Sequence, residues 1–88
     1  MTSNEKMARI ARWKRTTTAA VAEKLGARIV TLRKKRGWTQ RRLAEECNIH
    51  PGFMGQIERG ETNLELKTLL TMAKTLNIAI HELFHDIA

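Results

Sequence analysis

TQRRLAEECNIHPGFMGQIERG, residues Thr39–Gly60, decides the fold, because it predicts two short helices joined by a tight turn. Thr39 is a good N-cap, since its hydroxyl can accept a hydrogen bond from a free backbone N–H of the first turn. Asn48 tolerates the left-handed conformation that closes a helix. His50 can cap the second helix, Pro51 suits its first position, and Gly60 is placed to end it.

The second predicted helix, residues 51–59, has an apolar inner face and an open outer face. Met54 and Ile57 recur at helical spacing and are expected to point inward. The outer face is expected to hold Pro51, Gly52, Gly55, Gln56 and Arg59. Helix, short turn and helix is the skeleton of the helix-turn-helix, whose second helix lies in the major groove of DNA with its N-terminal residues on base edges.

Short motifs in this region narrow the interpretation. The sequence contains Thr39-Gln40, Leu43-Ala44 and Ile57-Glu58-Arg59-Gly60. These motifs resemble the signature of the Cro/phage-repressor (XRE-type) family of helix-turn-helix domains, and the resemblance runs from about residue 25 to residue 84. It implies an all-α fold, a compact five-helix domain that binds DNA. Glu58-Arg59-Gly60 with Asn63-Leu64 and Leu69 is also similar to the small controller proteins of restriction–modification systems, a pattern that prophage and plasmid regulators share.

Length and composition agree with one small regulatory domain. Its 88 residues are too few for an enzyme with a deep cleft, and 42% apolar residues suffice for a modest helical core. No apolar run is long enough to span a membrane and the N-terminus lacks the apolar segment of a secretion signal, so a cytoplasmic protein is expected. Cys47 has no second cysteine to pair with, which favours a small buried hydrophobe over a redox role.

The net charge of +7 is distributed unevenly. Residues 1–36 hold 11 Lys or Arg and 2 Asp or Glu, whereas residues 37–88 hold 5 and 7. Such a basic field attracts polyanions, and double-stranded DNA is the expected partner beside a predicted DNA-binding motif. A solvated charged face would explain part of the excess without a function.

The chain is expected to divide into a basic N-terminal arm, residues 1–18, and a helix-turn-helix domain, residues 19–88. The arm alternates charged and apolar residues at a spacing compatible with a short helix after Ser3. Three consecutive threonines then weaken that helix and can cap the next one, a long scaffold helix that Gly37 ends. Trp38 is expected to cover the junction between the scaffold helix and the motif, with stacking on DNA as the alternative. Two more helices follow, which gives five helices, or six with the arm, and no strand.

Phosphate contacts are expected where the first helix of the motif begins. The resemblance places Gln40 against a phosphate, and the free N–H groups after Thr39 favour an anion there. Arg41 and Arg42 oppose the helix dipole unless an anion lies close, which indicates further phosphate ligands; two solvated arginines are the alternative. Arg42 stands where the family often has a Glu that would complete a capping box with Thr39.

Base contacts are expected from the second helix, here called the reading helix. The positions that match the family's base-reading residues are Pro51, Gly52 and Gln56, with His50 and Phe53 close by. Only Gln56 is a good hydrogen-bonding reader, because Gln pairs bidentately with adenine. Gly52 either lets the backbone approach closely or leaves fewer bases read, and Phe53 meets a thymine methyl or belongs to the core. Part of the specificity is therefore expected from DNA shape.

The end of the reading helix carries two further predictions from the resemblance. Arg59 and Asn63 are expected to contact the next phosphates, and Glu61 is expected to turn away from them. Arg33 and Glu58 occupy positions that in the family often form a partly buried ion pair, which ties the scaffold helix to the reading helix. We predict that they pair.

A competing motif lies near the C-terminus, where residues 81–85 read HELFH. H-E-x-x-H on a helix places two His on one face to bind zinc, with the Glu as base, and alone it would predict a metalloprotease. Asp86 is too close in sequence to supply normal metal geometry, and Leu83 and Phe84 match the closing helix of the resembled family. We therefore expect a chance match, with no metal, no cofactor and no enzymatic activity.

The last predicted helix is expected to form a dimer interface. It offers Ile80, Phe84 and Ile87, more apolar side chains than a short terminal helix can bury. Small repressors bind two half-sites as symmetric dimers, which predicts a homodimer on inverted-repeat operator DNA, with no small-molecule effector apparent. The alternative at this helix is that Phe84 and Ile87 cap the monomer core. The alternative function is an antitoxin-like module whose arm or terminal helix engages a protein partner.

Overall fold

The computed structural model describes residues 2–87 and consists of five α-helices followed by one 3₁₀ helix. These are α1 (Ser3–Lys14), α2 (Thr18–Lys35), α3 (Gln40–Cys47), α4 (Pro51–Glu58), α5 (Leu66–Thr75) and the closing 3₁₀ helix (Ile80–Phe84). No strand occurs among the described residues, and the prediction of an all-α fold is confirmed. Within the same residues no helix combines the length and the apolar character needed to cross a bilayer.

The helix ends follow from local hydrogen bonding. Thr17 and Thr39 cap α2 and α3, each accepting at its hydroxyl from a backbone N–H three residues on, that of Ala20 and that of Arg42. Asn48 closes α3 with φ of +56°, and Gly60 follows α4 with φ of +71°. Both lie in the left-handed region that Asn and Gly tolerate. The caps and stops predicted around the helix-turn-helix are therefore confirmed.

The core lies among α2, α3, α4, α5 and the closing 3₁₀ helix. Its buried apolar side chains are Leu25, Ile29, Leu32, Leu43, Ala44, Cys47, Met54, Ile57, Met72, Ala73, Leu76, Leu83 and Ile87. Trp38 and Phe53 are partly buried against this core. The thiol of Cys47 lies 3.7 Å from the sulfur of Met72, and burial raises the pKa of Cys47. The predicted role of Cys47 as a small buried hydrophobe is confirmed.

Helix α1 stands apart from this core. All of its residues are exposed, and no other described helix contacts it. Its start is fixed by a reciprocal capping box, in which Thr2 Oγ1 accepts from the N–H of Glu5 and the Glu5 carboxylate accepts from the N–H of Thr2. The spacing of Thr2 and Glu5 is the sequence signature of a capping box, and it could have located the start of α1.

The C-terminal segment differs from the prediction. The last helix is a 3₁₀ helix that ends at Phe84, and Asp86, at φ of +61°, turns the chain back. Ile87 is consequently 4% exposed and belongs to the core, so its assignment to a dimer interface is wrong. Ile80 is partly buried, whereas Phe84 remains 38% exposed. Of the three predicted interface residues, Phe84 is the one that presents a large open surface.

Candidate nucleic-acid interface

The reading helix is α4, and its two faces differ as the spacing predicted. Met54 and Ile57 are buried, at 0% and 2% exposure, and anchor α4 on α2 and α3. Pro51, Gly52 and Gln56 are exposed. Gln56 is therefore the polar side chain of this face with two donors and an acceptor available for a base edge.

Two neighbours of Gln56 lie deeper than expected. Gly55 is buried, because the guanidinium of Arg59 and the amide of Gln40 fold over it; a Cβ built there would lie 2.9 Å from Arg59 Nη1 and 3.6 Å from Gln40 Oε1. The placement of Gly55 on the outer face is wrong. Phe53 is partly buried against the core, which favours the packing role over contact with a thymine methyl.

The start of α4 is shaped by His50 and the two residues after it. The ring nitrogen Nδ1 of His50 accepts from the backbone N–H of Gly52 at 2.9 Å, and Pro51 occupies the first turn, where a backbone N–H is not needed. A Cβ at Gly52 would lie 3.1 Å from that nitrogen. Gly52 thus leaves room for the cap and exposes backbone at the end of α4 that enters a groove in this motif.

A partly buried ion pair joins α2 to the C-terminal end of α4. Arg33 donates from Nε and Nη2 to the two carboxylate oxygens of Glu58, at 2.8 and 3.0 Å. The side chains are 12% and 4% exposed, and Arg33 Nη1 also donates to the carbonyl of Trp38 at 2.9 Å. The predicted pair is present in bidentate form, the geometry that fixes an arginine most firmly.

Gln40 extends this ion pair into α3. Its Nε2 donates to Glu58 Oε1 at 3.1 Å, so the side chain points into the junction of α2, α3 and α4. Sequence reasoning did not foresee this hydrogen bond. The phosphate contact predicted for Gln40 and for the start of α3 stays a prediction, which rests on the backbone N–H groups there.

Sequence reasoning missed a close backbone contact at the same junction. A Cβ at Gly26 of α2 would lie 2.6 Å from the carbonyl oxygens of both Ile57 and Glu58. A Cβ at Gly60, which has φ of +71°, would lie 2.6 Å from Cα of Glu23. The two glycines therefore set how near α2 comes to the end of the reading helix. Gly26 lies inside a long helix, and a glycine at such a position could have indicated a close backbone contact.

The arginines at the start of α3 have acidic partners in their own helix. Arg42 Nε lies 2.8 Å from Glu46 Oε1, and Arg41 Nε lies 3.6 Å from Glu45 Oε1. Glu45 and Glu46 lie one turn further along α3. They provide the nearby negative charge that was expected from DNA phosphates. The pairs are exposed, and such pairs contribute little to stability, so both arginines stay available to phosphates by exchange of partner.

Two arginine side chains cover the part of the Trp38 ring that does not pack on the core. The guanidinium of Arg36 lies 4.6 Å from its ring centroid and that of Arg42 lies 5.2 Å away. This packing favours the junction role of Trp38 over base stacking. Arg36 Nη1 also donates to the carbonyl of Leu76, and Arg28 Nε donates to the carbonyl of Glu82, so part of the basic excess before residue 37 serves the fold.

A second bidentate pair follows α4 directly. Arg59 donates from Nε and Nη2 to the two oxygens of Glu61, at 2.9 and 3.1 Å, with side chains 58% and 52% exposed. Glu61 faces Arg59, raises the pKa of Arg59 and has its own pKa lowered by the same hydrogen bonds, whereas its orientation away from phosphate stays a prediction. Asn63, in the loop beyond, is exposed.

The HELFH sequence does not have the geometry of a zinc site. It lies mainly in a 3₁₀ helix, where residues four apart are separated by about 120° around the axis instead of sharing a face. His85 already has extended backbone, and its Nε2 lies 3.3 Å from Asp86. No group of three or more potential ligands comes together among residues 2–87.

Comparisons with known proteins agree with this geometry. The profile of the helix-turn-helix family matches residues 29–83. The transcriptional regulator DdrOP3 of Deinococcus deserti is 34% identical over 64 residues, which cover 73% of this chain and 50% of that protein. Control protein C.SmaI of Serratia marcescens is 33% identical over 63 residues, which cover 72% of this chain and 75% of that protein. The chain thus matches half the length of the first relative and three quarters of the second.

A solved structure extends the likeness to three dimensions. The crystal structure of the restriction-modification controller protein C.AhdI from Aeromonas hydrophila superimposes with a TM-score of 0.69 at 35% sequence identity. The match covers 72% of this chain and 96% of that chain. The uncovered part of this chain is large enough to include α1.

Proposed function

The chain belongs to the helix-turn-helix family of DNA-binding transcriptional regulators, and from that premise we propose that it binds inverted-repeat operator DNA sequence-specifically as a homodimer. The family is one of regulators and not of enzymes, in agreement with the interpretation of HELFH as a chance match. The observation that carries the proposal is the exposed outer face of α4, held on a rigid junction with Gln56 at its centre.

Base reading is assigned mainly to Gln56. Its amide can pair bidentately with adenine N6 and N7, and one such contact discriminates by about 1–3 kcal/mol against a wrong base. Pro51 and Gly52 bring backbone to the groove without long polar side chains, and His50 adds one ring nitrogen. Because the face is sparse, we assign the rest of the specificity to DNA shape and to the spacing of two half-sites.

Phosphate contacts are assigned to both ends of the motif. At the start of α3 they come from the backbone N–H groups after Thr39, with Arg41 and Arg42 exchanging their glutamates for phosphate oxygens. Beyond α4 they come from Asn63 and from Arg59 once it leaves Glu61. Gln40 supports this surface from within by fixing the junction.

Dimerisation is assigned to the surface around Phe84. Phe84 is 38% exposed, and Leu66 and Leu70 of α5 are 74% and 45% exposed. Exposed large apolar side chains, of which Leu66 and Leu70 lie about one turn apart on α5, mark an interface. A C2 axis through this surface would place two reading helices on two half-sites. Ile80, which is partly buried, lies at the edge of this surface.

Selection of bound sequences from random double-stranded DNA tests the proposal. We expect an inverted repeat whose half-sites lie about 34 Å apart along the helix. Gln56→Ala should weaken binding to the selected site by about tenfold or more while leaving binding to random DNA nearly unchanged. Asn63→Ala is the matched control, because loss of a phosphate contact should weaken both alike. Equal losses on both DNAs for Gln56→Ala would remove the base-reading assignment.

A further inference from the structure

The large exposed apolar side chains of the described residues fall into two sets. The first is Met7, Ile10 and Trp13 of α1, at 69%, 44% and 48% exposure; the second is Leu66, Leu70 and Phe84. We propose that α1 of one protomer packs its apolar face on the second set of a second copy, and that the two copies exchange these arms reciprocally. This rests on the homodimer of the proposed function and adds the arm as its clasp.

Helix α1 has the form of a docking element. Met7, Ile10 and Trp13 follow one another at a spacing of three and share one side of the helix, whereas Arg9 and Arg12 lie on the other. The helix has 12 residues, and isolated helices of that length are marginal in water. None of its side chains is buried. A stable α1 therefore calls for a surface outside its own domain.

The acceptor surface is an apolar groove beside the start of α2. Its lining includes Val21, Ala22, Leu25, Leu69 and Phe84, with Thr18 and the 62–64 loop at its margin. Leu66 and Leu70 lie about one turn apart on α5, the helix that contributes Leu69 to the groove. Side chains of the size of Met, Ile and Trp fit such a shallow, open groove.

Charge complementarity favours a second copy as the occupant. The arm, residues 2–18, holds five basic residues and one acidic residue, a net charge of +4. The two segments that bear the acceptor surface, residues 18–25 and 61–87, together hold three basic and five acidic residues, a net charge of −2. Glu65 stands next to Leu66, and Glu82 lies two residues before Phe84. The apolar face of the arm thus meets an apolar patch bordered by the opposite charge.

The connection between α1 and α2 directs the arm away from its own groove. Thr16 bonds back to α1, with its hydroxyl donating to the carbonyl of Arg12 and its N–H to that of Trp13. Thr17 in turn caps α2. The connector is therefore fixed on both sides, and α1, which no other described helix contacts, extends from the domain. The described chain, α1 included, measures 45 Å along its longest axis against 22 and 20 Å along the others.

The base of the arm lies close enough to the groove for a symmetric exchange between two copies. Thr18, the first residue of α2, lines the groove, so the base of the arm lies beside the acceptor surface. A C2 axis near Phe84 brings both arms and both grooves together, and each arm reaches its partner's groove. Three exposed side chains alone fall well short of the roughly 800 Å² per partner of a stable interface. The arm doubles the number of apolar side chains that each protomer contributes.

The first test measures the dimer dissociation constant of the full chain by sedimentation equilibrium. Ile10→Glu should raise it by at least about tenfold, equivalent to about 1.4 kcal/mol. Ala8→Glu, the matched control on the basic side of α1, should change it by less than about twofold. Ile10 lies outside the core, so circular dichroism should show an intact domain in both variants.

The second test locates the arm by cross-linking. Chains carrying Ile10→Cys and Leu66→Cys are distinguished by mass and mixed under mild oxidation; native Cys47 is buried and stays in place. A disulfide between the two chains supports the inference, provided that Ala8→Cys gives much less. An Ile10→Cys/Leu66→Cys chain that closes only within itself would overturn it.

The outcomes separate the inference from the homodimer on which it rests. If Phe84→Glu dissociates the dimer while Ile10→Glu leaves it unchanged, the exchange of arms is wrong and the dimer stands. If the unaltered chain is monomeric at every concentration tested, both are wrong. If Ile10→Glu keeps the dimer but loses anionic vesicle binding or DNA binding, the apolar face of α1 serves that other partner and the inference is overturned.

Discussion

Two bidentate Arg–Glu pairs stand side by side at the end of the reading helix, and their surroundings differ. Arg33–Glu58 has side chains 12% and 4% exposed, whereas Arg59–Glu61 has side chains 58% and 52% exposed. The distances are alike, with a shortest N to O separation of 2.8 Å in the first pair and 2.9 Å in the second. Equal geometry therefore does not mean equal energy or equal purpose.

Burial assigns the two pairs to different tasks. The Glu58 carboxylate is shielded from water, so separating it from Arg33 would leave a charge without solvent or a partner to stabilise it. The Arg33–Glu58 pair therefore fixes the angle of α4. An exposed pair is held weakly against water, so Arg59 can leave Glu61 when a phosphate competes for it. Glu58 thus positions the helix, whereas its neighbour Arg59 is left for the phosphate contact that we propose.

Removing one carboxylate from each pair gives the largest expected contrast. Glu58→Ala leaves Arg33 buried without its partner and Gln40 without its acceptor, and should cost about 3–5 kcal/mol of unfolding free energy. For a domain of this size the melting temperature should fall by more than about 10 °C. Glu61→Ala is the control and should leave the melting temperature unchanged. If the Glu58→Ala variant has the same melting temperature as the unaltered protein, the structural role of Glu58 is refuted.

The backbone contact beside the buried pair gives the next contrast. Gly26→Ala forces a Cβ against the carbonyl oxygens of Ile57 and Glu58, and overpacking of this kind costs about 1–3 kcal/mol. Gly55→Ala is the control, because its Cβ crowds only the flexible end of Arg59, meets Gln40 at an ordinary contact distance, and adds up to about 1 kcal/mol in helix propensity. Urea unfolding of the two variants measures both. Equal stability would mean that α2 can move away from α4 at no cost.

The exposed pair gives the smallest effect, on DNA affinity alone. Glu61→Gln removes the carboxylate that competes with phosphate for Arg59. Binding to specific and to random DNA should then tighten alike, by about threefold. The slope of log affinity against log salt concentration should grow in magnitude by up to about one released ion. Adding Arg59→Ala to Glu61→Gln should abolish the gain. Titrations at several salt concentrations measure both. A gain that survives the loss of Arg59 would place the phosphate contact elsewhere.

Local signals made most of the fold predictable. Thr39, Asn48, Pro51 and Gly60 marked the ends of the two motif helices, because caps and left-handed stops depend on residues within a few positions. The Arg33–Glu58 pair was predicted through the resemblance to a family and not from spacing. Its partner Gln40 was assigned to phosphate, since a single sequence does not show that an amide and a carboxylate distant in the chain share one hydrogen bond.

The misses arise where turns and long side chains act beyond what helical periodicity describes. The Arg59–Glu61 pair was not predicted, because the expectation for Glu61 concerned only a phosphate. Ile87 was placed on a surface because helical periodicity was extended beyond Phe84, whereas the positive φ of Asp86 folds it into the core. Gly55 was counted as open because periodicity locates a Cα and does not describe long side chains that fold across it.

The cap at His50 also fixes the chemistry that its ring offers to the outside. Since Nδ1 accepts the N–H of Gly52, a neutral imidazole must carry its proton on Nε2. The tautomer is thereby selected before any DNA arrives, and the free edge of the ring is a donor. In the base-reading role that we propose for this end of α4, the His50 ring would pair with an acceptor, such as O6 or N7 of guanine or O4 of thymine, and not with the amino group of cytosine. Under that proposal, a backbone hydrogen bond at the first turn of the reading helix sets a base preference one residue outside it.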